Sequence, residues 1–287
     1  MDNDKGITWL ASYPKSGNTW LRLLLEAYRR NGLLDINEVI ISLSDAASPF
    51  MRAVSPMPLD ALGMEGELLL RPAALMNARA NQHSPFYLKT HCSNHTYPNC
   101  PPTIPPQLTR CAVYVVRDPR CVIGSMSRHF GQSLETTADR MNDIKAAIGN
   151  TKQHCRSFIS SWTQNVASWI QETKFPVHVV KYEDMVADTA NEFREILTFL
   201  EVDVDDDRVE RAVAAADIKR LRKAEEDGGF RENTYTQNAR FFNGAGTDWR
   251  NEIGERWARR IEEDHGDVMR ALGYLEKQEK TELSAVT

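Results

Sequence analysis

ITWLASYPKSGNTWLRLLLEAYRRNG, residues 7–32, changes its hydrophobic period partway along. ITWLAS (Ile7–Ser12) is an apolar run of strand length, as expected of a buried strand. Beyond the next turn Leu21, Leu24, Leu25 and Tyr28 recur on one helical face, and Gly32 supplies a stop. Between strand and helix, YPKSGNTW (Tyr13–Trp20) places a lysine, a glycine and small hydroxyl residues at the turn. The backbone N–H groups of such a loop, the helix N-terminus and the lysine charge together make a site for a doubly charged anion. The residue order is not that of the triphosphate loop G-x-x-x-x-G-K-[ST], where the lysine follows the second glycine and a hydroxyl then binds magnesium. Lys15 precedes Gly17, which leaves no metal-binding hydroxyl in that register.

Three more strands follow. FYLKTH (Phe86–His91) runs into the proline-rich CPPTIPPQ, which cannot continue a ladder. CAVYVVR (Cys111–Arg117) leads directly to Asp118 and Pro119, a helix cap and a favoured first helical residue, so PRCVIGSMSRHF is a helix. PVHVVKY (Pro176–Tyr182) is trailed by the amphipathic ANEFREILTFLEV, and EVDVDDDR reads as a solvated acidic helix start. A long helix is expected across CRSFISSWTQNVASWIQET, with Trp162 and Trp169 in the core. Residues 35–84 and 224–248 show no clear period and are expected to be mobile cover segments. Alternating strands and helices define an α/β fold, one P-loop-like domain with a parallel sheet flanked by helices.

A chain of 287 residues with 41% hydrophobic and 26% charged residues suits one large α/β domain. The start MDNDKGITWLAS is acidic with too short an apolar run for a signal peptide, and no window is apolar enough for a membrane span. A cytoplasmic protein is expected. Cys92, Cys100, Cys111, Cys121 and Cys155 form no CxxC pair and suit reduced thiols. A net charge of -5 argues against a nucleic-acid partner, so an anionic ligand must meet cations placed locally.

Ligands of open α/β sheets bind beyond the carboxyl ends of the strands, so the remaining strand ends check the first loop. Tyr87, Lys89 and His91 share one face of their strand, which brings a cation and a base toward that edge. Arg117 ends the next strand with a planar fork suited to phosphate oxygens. Tyr182 ends the last.

In YPKSGNTW, YLKTH, VRDPRCVIGSMS and VVKYEDM, taken in that order, the chain resembles the cytosolic-type sulfotransferase family, whose donor is 3'-phosphoadenosine 5'-phosphosulfate (PAPS). The resemblance implies a single sulfotransferase domain over residues 1–287, its tail beyond about 275 disordered, that moves a sulfuryl group to an acceptor hydroxyl or amine by in-line displacement. It implies that His91 removes the acceptor proton, that Lys15 meets charge on the leaving phosphate and that Lys89 holds the transferring group. Lys15, Ser16, Gly17, Asn18, Thr19 and Trp20 would bind the donor's 5' side, Arg117 and Ser125 its 3'-phosphate, and Tyr182 with Trp20 its adenine. No metal is expected, since the side chains and helix end carry the positive charge.

The family's closing R-K-G-x-x-G-D-W segment corresponds to FNGAGTDW (Phe242–Trp249). Asn243 and Gly244 would still contact the nucleotide, but Phe242 and Asn243 stand where the cations would be, with Arg240 or Arg250 as substitutes. Asp217 and Ile218 fall where the family often has Ser-Phe. A small-molecule acceptor is implied; residues 35–84, the stretch after His129 and residues 224–242 would wall its pocket, and Phe50, Met51, Met57 and Met64 suggest apolar lining. Oligomeric state is open. The alternatives are a P-loop kinase or nucleotide hydrolase, which would need magnesium and ATP, and a catalytically silent nucleotide-binding module. A zinc site from His91, Cys92, His95 and Cys100 fits no common spacing.

Overall fold

The computed structural model describes residues 6–276 apart from 40, 42, 82–84, 152, 172, 234–239 and 243–247. In chain order the elements are β1 (Ile7–Ser12), α1 (Asn18–Arg29), α2 (Ser48–Arg52), α3 (Gly63–Ala80), β2 (Phe86–Thr90), β3 (Thr109–Val116), α4 (Pro119–Phe130) and α5 (Leu134–Asn142). They continue with β4 (Ala147–Ile148), β5 (Ser157–Phe158), α6 (Trp162–Ile170), β6 (Val177–Lys181), α7 (Tyr182–Ala187), α8 (Thr189–Phe199), α9 (Asp206–Ala215), α10 (Ile218–Gly228) and α11 (Arg250–Ala271), the last kinked at Gly254.

Four strands form one parallel sheet in the order β2-β1-β3-β6. The chain leaves β1 to one side for β2 and returns past it to β3, so the topology switches at β1, where open α/β sheets open a ligand crevice. All six β1 residues are buried, and alternation divides them between two cores. Ile7, Trp9 and Ala11 join Leu88, Tyr114, Trp162 and Trp169 on one face. Leu10 joins Val113, Val115 and Val180 on the other, under α1, α8 and α9. The outer edge of β2 is covered by residues 43–45, through Lys89 N–H to Leu43 O (2.8 Å) and Asp45 N–H to Lys89 O (3.0 Å).

Strand β1 and helix α4 have the expected bounds, and the Asp118 side chain caps α4 by accepting from Arg120 N–H at 2.9 Å. Asp205 caps α9 in the same way, as the acidic run suggested. Three expectations are corrected. The segment 155–173 is not one helix: Ser157 and Phe158 pair with β4, Ser160 takes φ 59°, and Ser161 caps the shorter α6 by accepting from Gln164 N–H. Residues 35–84 contain α2 and the 18-residue α3, whose period is obscured by Gly63, Gly66 and the internal Pro72. Residues 224–248 begin inside α10, whose buried face shows only Leu221.

Replacing Asp118 by Ala should lower unfolding free energy by about 1–2 kcal/mol through loss of the cap. A urea melt checks this by a lower midpoint at unchanged slope, with Asp118→Asn, which keeps a capping oxygen, losing less.

Candidate active site

The strands end on one edge, and the residues just beyond them face a cleft of about 610 Å³. After β1 the chain returns sharply: Lys15 and Gly17 take φ of 65° and 109°, and Ser16 N–H donates to Tyr13 O at 3.3 Å. Glycine is required at position 17 twice over. Its φ is left-handed, and a Cβ there would lie 2.5 Å from Cδ2 of Tyr182. The turn is braced from behind by Asn18, which donates to Leu10 O (2.8 Å) and accepts from Arg22 Nε (3.0 Å). Arg22 also donates to Thr19 Oγ1 at 3.0 Å. The Asn18 amide thus supports the loop, and Lys15, Gly17, Asn18, Thr19 and Trp20 line the cleft. Ser16 Oγ is buried with no hydrogen-bond partner among the described residues.

At the end of β2 the alternation holds: Tyr87, Lys89 and His91 lie on the partly exposed face, while Leu88 and Thr90 are buried. His91 Nδ1 donates to Ser12 O at 2.9 Å, which fixes the tautomer and leaves the Nε2 lone pair available. Burial, and then the Lys89 charge, push the imidazole pKa down to about 3, so the ring is neutral at physiological pH. Beneath it Thr90 Oγ1 donates to buried Asp45 at 2.6 Å, and Asp45 is ion-paired with buried Arg71 of α3. Lys89 Nζ lies 3.8 Å from Glu232 Oε2.

After β3, Arg117 donates to Lys15 O at 3.2 Å and stacks 4.3 Å over the Tyr182 ring. Tyr182, the first residue of α7, meets Trp20 edge to face at 5.7 Å, and Trp20 Nε1 donates to Ala216 O at 3.0 Å. Ser125, Asp217 and Ile218 line the same cleft. Glu183 beside Tyr182 accepts from Asp118 N–H (3.1 Å) and Tyr274 O–H (2.9 Å), tying these strand ends to the residues after α11. The site is crowded with cations. Burial first, and then Lys89, Arg117 and Arg128, bring the Lys15 ammonium down to about 7, and the same Lys15 and Lys89 charges add to burial in pushing His129 down to about 3.

Two expected contacts, Asn243 and Gly244, lie outside the described residues, as does the tail from 277. Around them the structure departs from the expectation of substitute cations. Arg240 pairs with Glu226 at 2.8 Å and Arg250 with Asp248 at 3.9 Å, both are exposed, and neither is among the described residues lining the cleft. Phe242 is buried against Phe230 and Leu221, and Phe241 lies 3.7 Å beneath the Lys15 ammonium. The methionine expectation is corrected too: Met51 packs into a small core with Ala74 and Cys155, while Met57 and Met64 are exposed. The cleft lining instead includes Ala46, Phe130, Ile148, His154 and Phe241.

Sequence reasoning missed Arg22, Asp45, Arg71 and Glu232. Arg22 had a local signal, a charge among α1 leucines at a position that is 1% exposed. Glu232 had none, because its partner Arg22 is 210 residues away.

The sulfotransferase domain family model matches residues 5–273, and the chain belongs to the sulfotransferase family. Human sulfotransferase 1C2 is 23% identical over 225 residues, 75% of this chain and 65% of that protein. Dog sulfotransferase 1B1 is 24% identical over 217 residues, 71% of this chain and 62% of its own length. The chain therefore matches somewhat less than two thirds of the length of these curated relatives. The fold is that of mouse sulfotransferase SULT7A1 complexed with PAP (TM-score 0.61, 17% identity, covering 94% of this chain and 87% of that one). Retinol dehydratase in complex with androsterone and inactive cofactor PAP gives 0.58 at 17% identity, covering 93% and 81%.

Gly17→Ala combines left-handed strain with contact against Tyr182. It should cost about 1–3 kcal/mol in a urea melt, and wild-type stability in that variant would show that the turn readily rearranges.

Proposed function

We propose that the protein is a PAPS-dependent sulfotransferase acting on the hydroxyl, or less often the amine, of a small molecule. The observation that carries this is the convergence of Lys15, Lys89, His91, Arg117 and Tyr182 from four adjacent strand ends on one cleft. The residues fit the donor. Ser16 Oγ is an unpartnered buried hydroxyl in the loop, Gly17 lets the Tyr182 ring close against the turn, and Lys15 holds a proton weakly until an anion arrives.

Bound PAPS would supply the sulfuryl group and a 5'-phosphate leaving group. In this reading His91 Nε2 takes the proton of the acceptor hydroxyl, because Nδ1 is engaged by Ser12 O and the ring is neutral. Lys15 and the loop N–H groups meet the charge that grows on the leaving oxygen, and such preorganised stabilisation is commonly worth about 100- to 1000-fold per donor. Lys89 steadies the transferring group. Arg117 and Ser125 hold the 3'-phosphate, and Trp20 with Tyr182 flank the adenine. Asn243 and Gly244 remain proposed contacts.

The mixed apolar and polar lining of the cleft suits a small acceptor rather than a nucleic acid. Among the described residues no helix is long and apolar enough to cross a membrane, and no group of three or more His, Cys, Asp or Glu is placed to hold a metal ion. A single catalytic domain working in the cytoplasm without a metal completes the proposal.

Adenosine 3',5'-bisphosphate should raise the melting temperature with or without magnesium, whereas stabilisation by ATP-Mg and not by the bisphosphate would favour a kinase or hydrolase. Because free Lys15 titrates near 7 and the anion-bound form is protonated, bisphosphate binding takes up a proton at higher pH. Affinity should therefore fall as pH rises above about 7, by up to about tenfold per unit, and this slope should vanish in Lys15→Met.

His91→Ala should keep bisphosphate affinity within about threefold and lose about 100-fold or more of sulfuryl transfer from labelled PAPS. Undiminished transfer would remove His91 from the role of base.

A further inference from the structure

Glu232 is an acid in a cleft that also holds Lys15, Lys89 and Arg117, and no motif accounts for it. Its carboxylate forms a two-pronged ion pair with Arg22, Nη1 to Oε1 and Nη2 to Oε2, each at 2.7 Å. Arg22 is buried, with its Nε on Asn18 Oδ1 and Nη2 also on Thr19 Oγ1, so its planar fork is fixed by the N-terminal turn of α1. A buried guanidinium deprived of its carboxylate would be an uncompensated charge, which anchors Glu232 in turn. Residues 229–233 are independently docked. Phe230 packs with Leu23 and Leu221, Arg231 N–H donates to Asn37 Oδ1 at 2.8 Å, and Asn37 Nδ2 donates to Gly229 O at 3.0 Å. Glu232 is thereby aimed inward, and its Oε2 also faces Lys89 Nζ at 3.8 Å.

We propose that Glu232 is a positioning residue for Lys89: one carboxylate, locked by the buried Arg22, holds the Lys89 ammonium beside His91 and links residues 229–233 to the donor-binding turn. A lysine is a point charge on a flexible four-carbon stem, so a fixed counter-charge confines an ammonium that would otherwise spread over many rotamers. At 3.8 Å the pairing is ionic rather than a close hydrogen bond, which leaves Lys89 free to turn toward an arriving anionic group. Charge supports the geometry. Burial would raise the Glu232 carboxyl, but Arg22 and Lys89 override it and hold the group well below the usual carboxylate range. Burial lowers the Lys89 ammonium while Glu232 pulls it back, against Arg22. The role given to Lys89 rests on the sulfuryl-transfer reading; the Glu232–Lys89 coupling does not.

The groups whose charge bears on Lys89 are Glu232, Arg22 and Asp45, and Lys89 in turn acts on Lys15, His91, His129 and His154. In Glu232→Gln, Lys89 loses the anion that favours its ammonium and keeps the Arg22 charge that opposes it, so it deprotonates at lower pH. The experiment is competitive labelling of the free protein with acetic anhydride across pH, with the Lys89 peptide quantified by mass spectrometry against that of Lys223. The half-labelling pH of Lys89 should drop by about one unit or more, while Lys223 stays put. Glu232→Asp, which can keep the Arg22 pair with its carboxylate drawn back by one methylene, should shift Lys89 in the same direction by less and serves if the Gln variant does not fold. A Lys89 profile that is the same as wild type in whichever variant folds overturns the proposal. Failure of the wild type to bind adenosine 3',5'-bisphosphate would instead sink the sulfuryl-transfer reading and leave the Lys89 result standing.

Discussion

The chain must reverse direction within a few residues of β1, and the site depends on how it does so. Lys15 and Gly17 both adopt positive φ, and α1 starts directly after them at Asn18. The left-handed conformation is unfavourable for a lysine, so the turn persists only because its surroundings determine it. Asn18 ties it to the Leu10 carbonyl, Arg22 ties Asn18 and Thr19 together, and the Tyr182 ring closes against Gly17. Arg117 completes the enclosure by donating to the Lys15 carbonyl.

The second support lies under β2. His91 can act as a base only if its ring is held and neutral, and burial, then Lys89, keeps it neutral. Ser12 O fixes the tautomer from the neighbouring strand. Thr90 is held by Asp45, whose charge is balanced by Arg71 from α3. Removing one partner of such a buried pair strands the other at a cost of about 3–5 kcal/mol, so the region before β2 is part of the frame of the candidate site and not a loose cover. Cations and carboxylates are distributed unevenly for a reason. The depressed Lys15 and the neutral His91 reflect burial first, and then the positive charge of neighbours, Lys89 above all.

The elements that could be read from sequence were those with local signals. β1 showed a clean apolar run, α1 a leucine face, and α4 an Asp-Pro start, and each appears with the expected bounds or nearly so. The strand ends then placed Lys15, His91, Arg117 and Tyr182 together, because parallel register carries all four to one edge. What escaped was encoded at long range or against local propensity. Helix α3 contains Pro72, and its buried Arg71 is identified only by Asp45 and Thr103 across the fold. The Ser161 cap that shortens α6 looks, in sequence, like any serine inside a helical pattern. Replacement of the closing cations by Phe242 was legible, but the consequence was not. Arg240 and Arg250 turn to surface acids, while Phe241 packs beneath Lys15.

The central claim is that these strand-end groups transfer a sulfuryl group rather than merely hold a nucleotide. The most direct measurement incubates the protein with PAPS labelled at the sulfuryl sulfur and a panel of phenols, alcohols and amines, and asks where the label goes. The proposed function predicts label on at least one hydroxyl acceptor, with adenosine 3',5'-bisphosphate as the other product and no requirement for added magnesium. Tight bisphosphate binding with no label on any acceptor would contradict it and leave a nucleotide-binding module in its place.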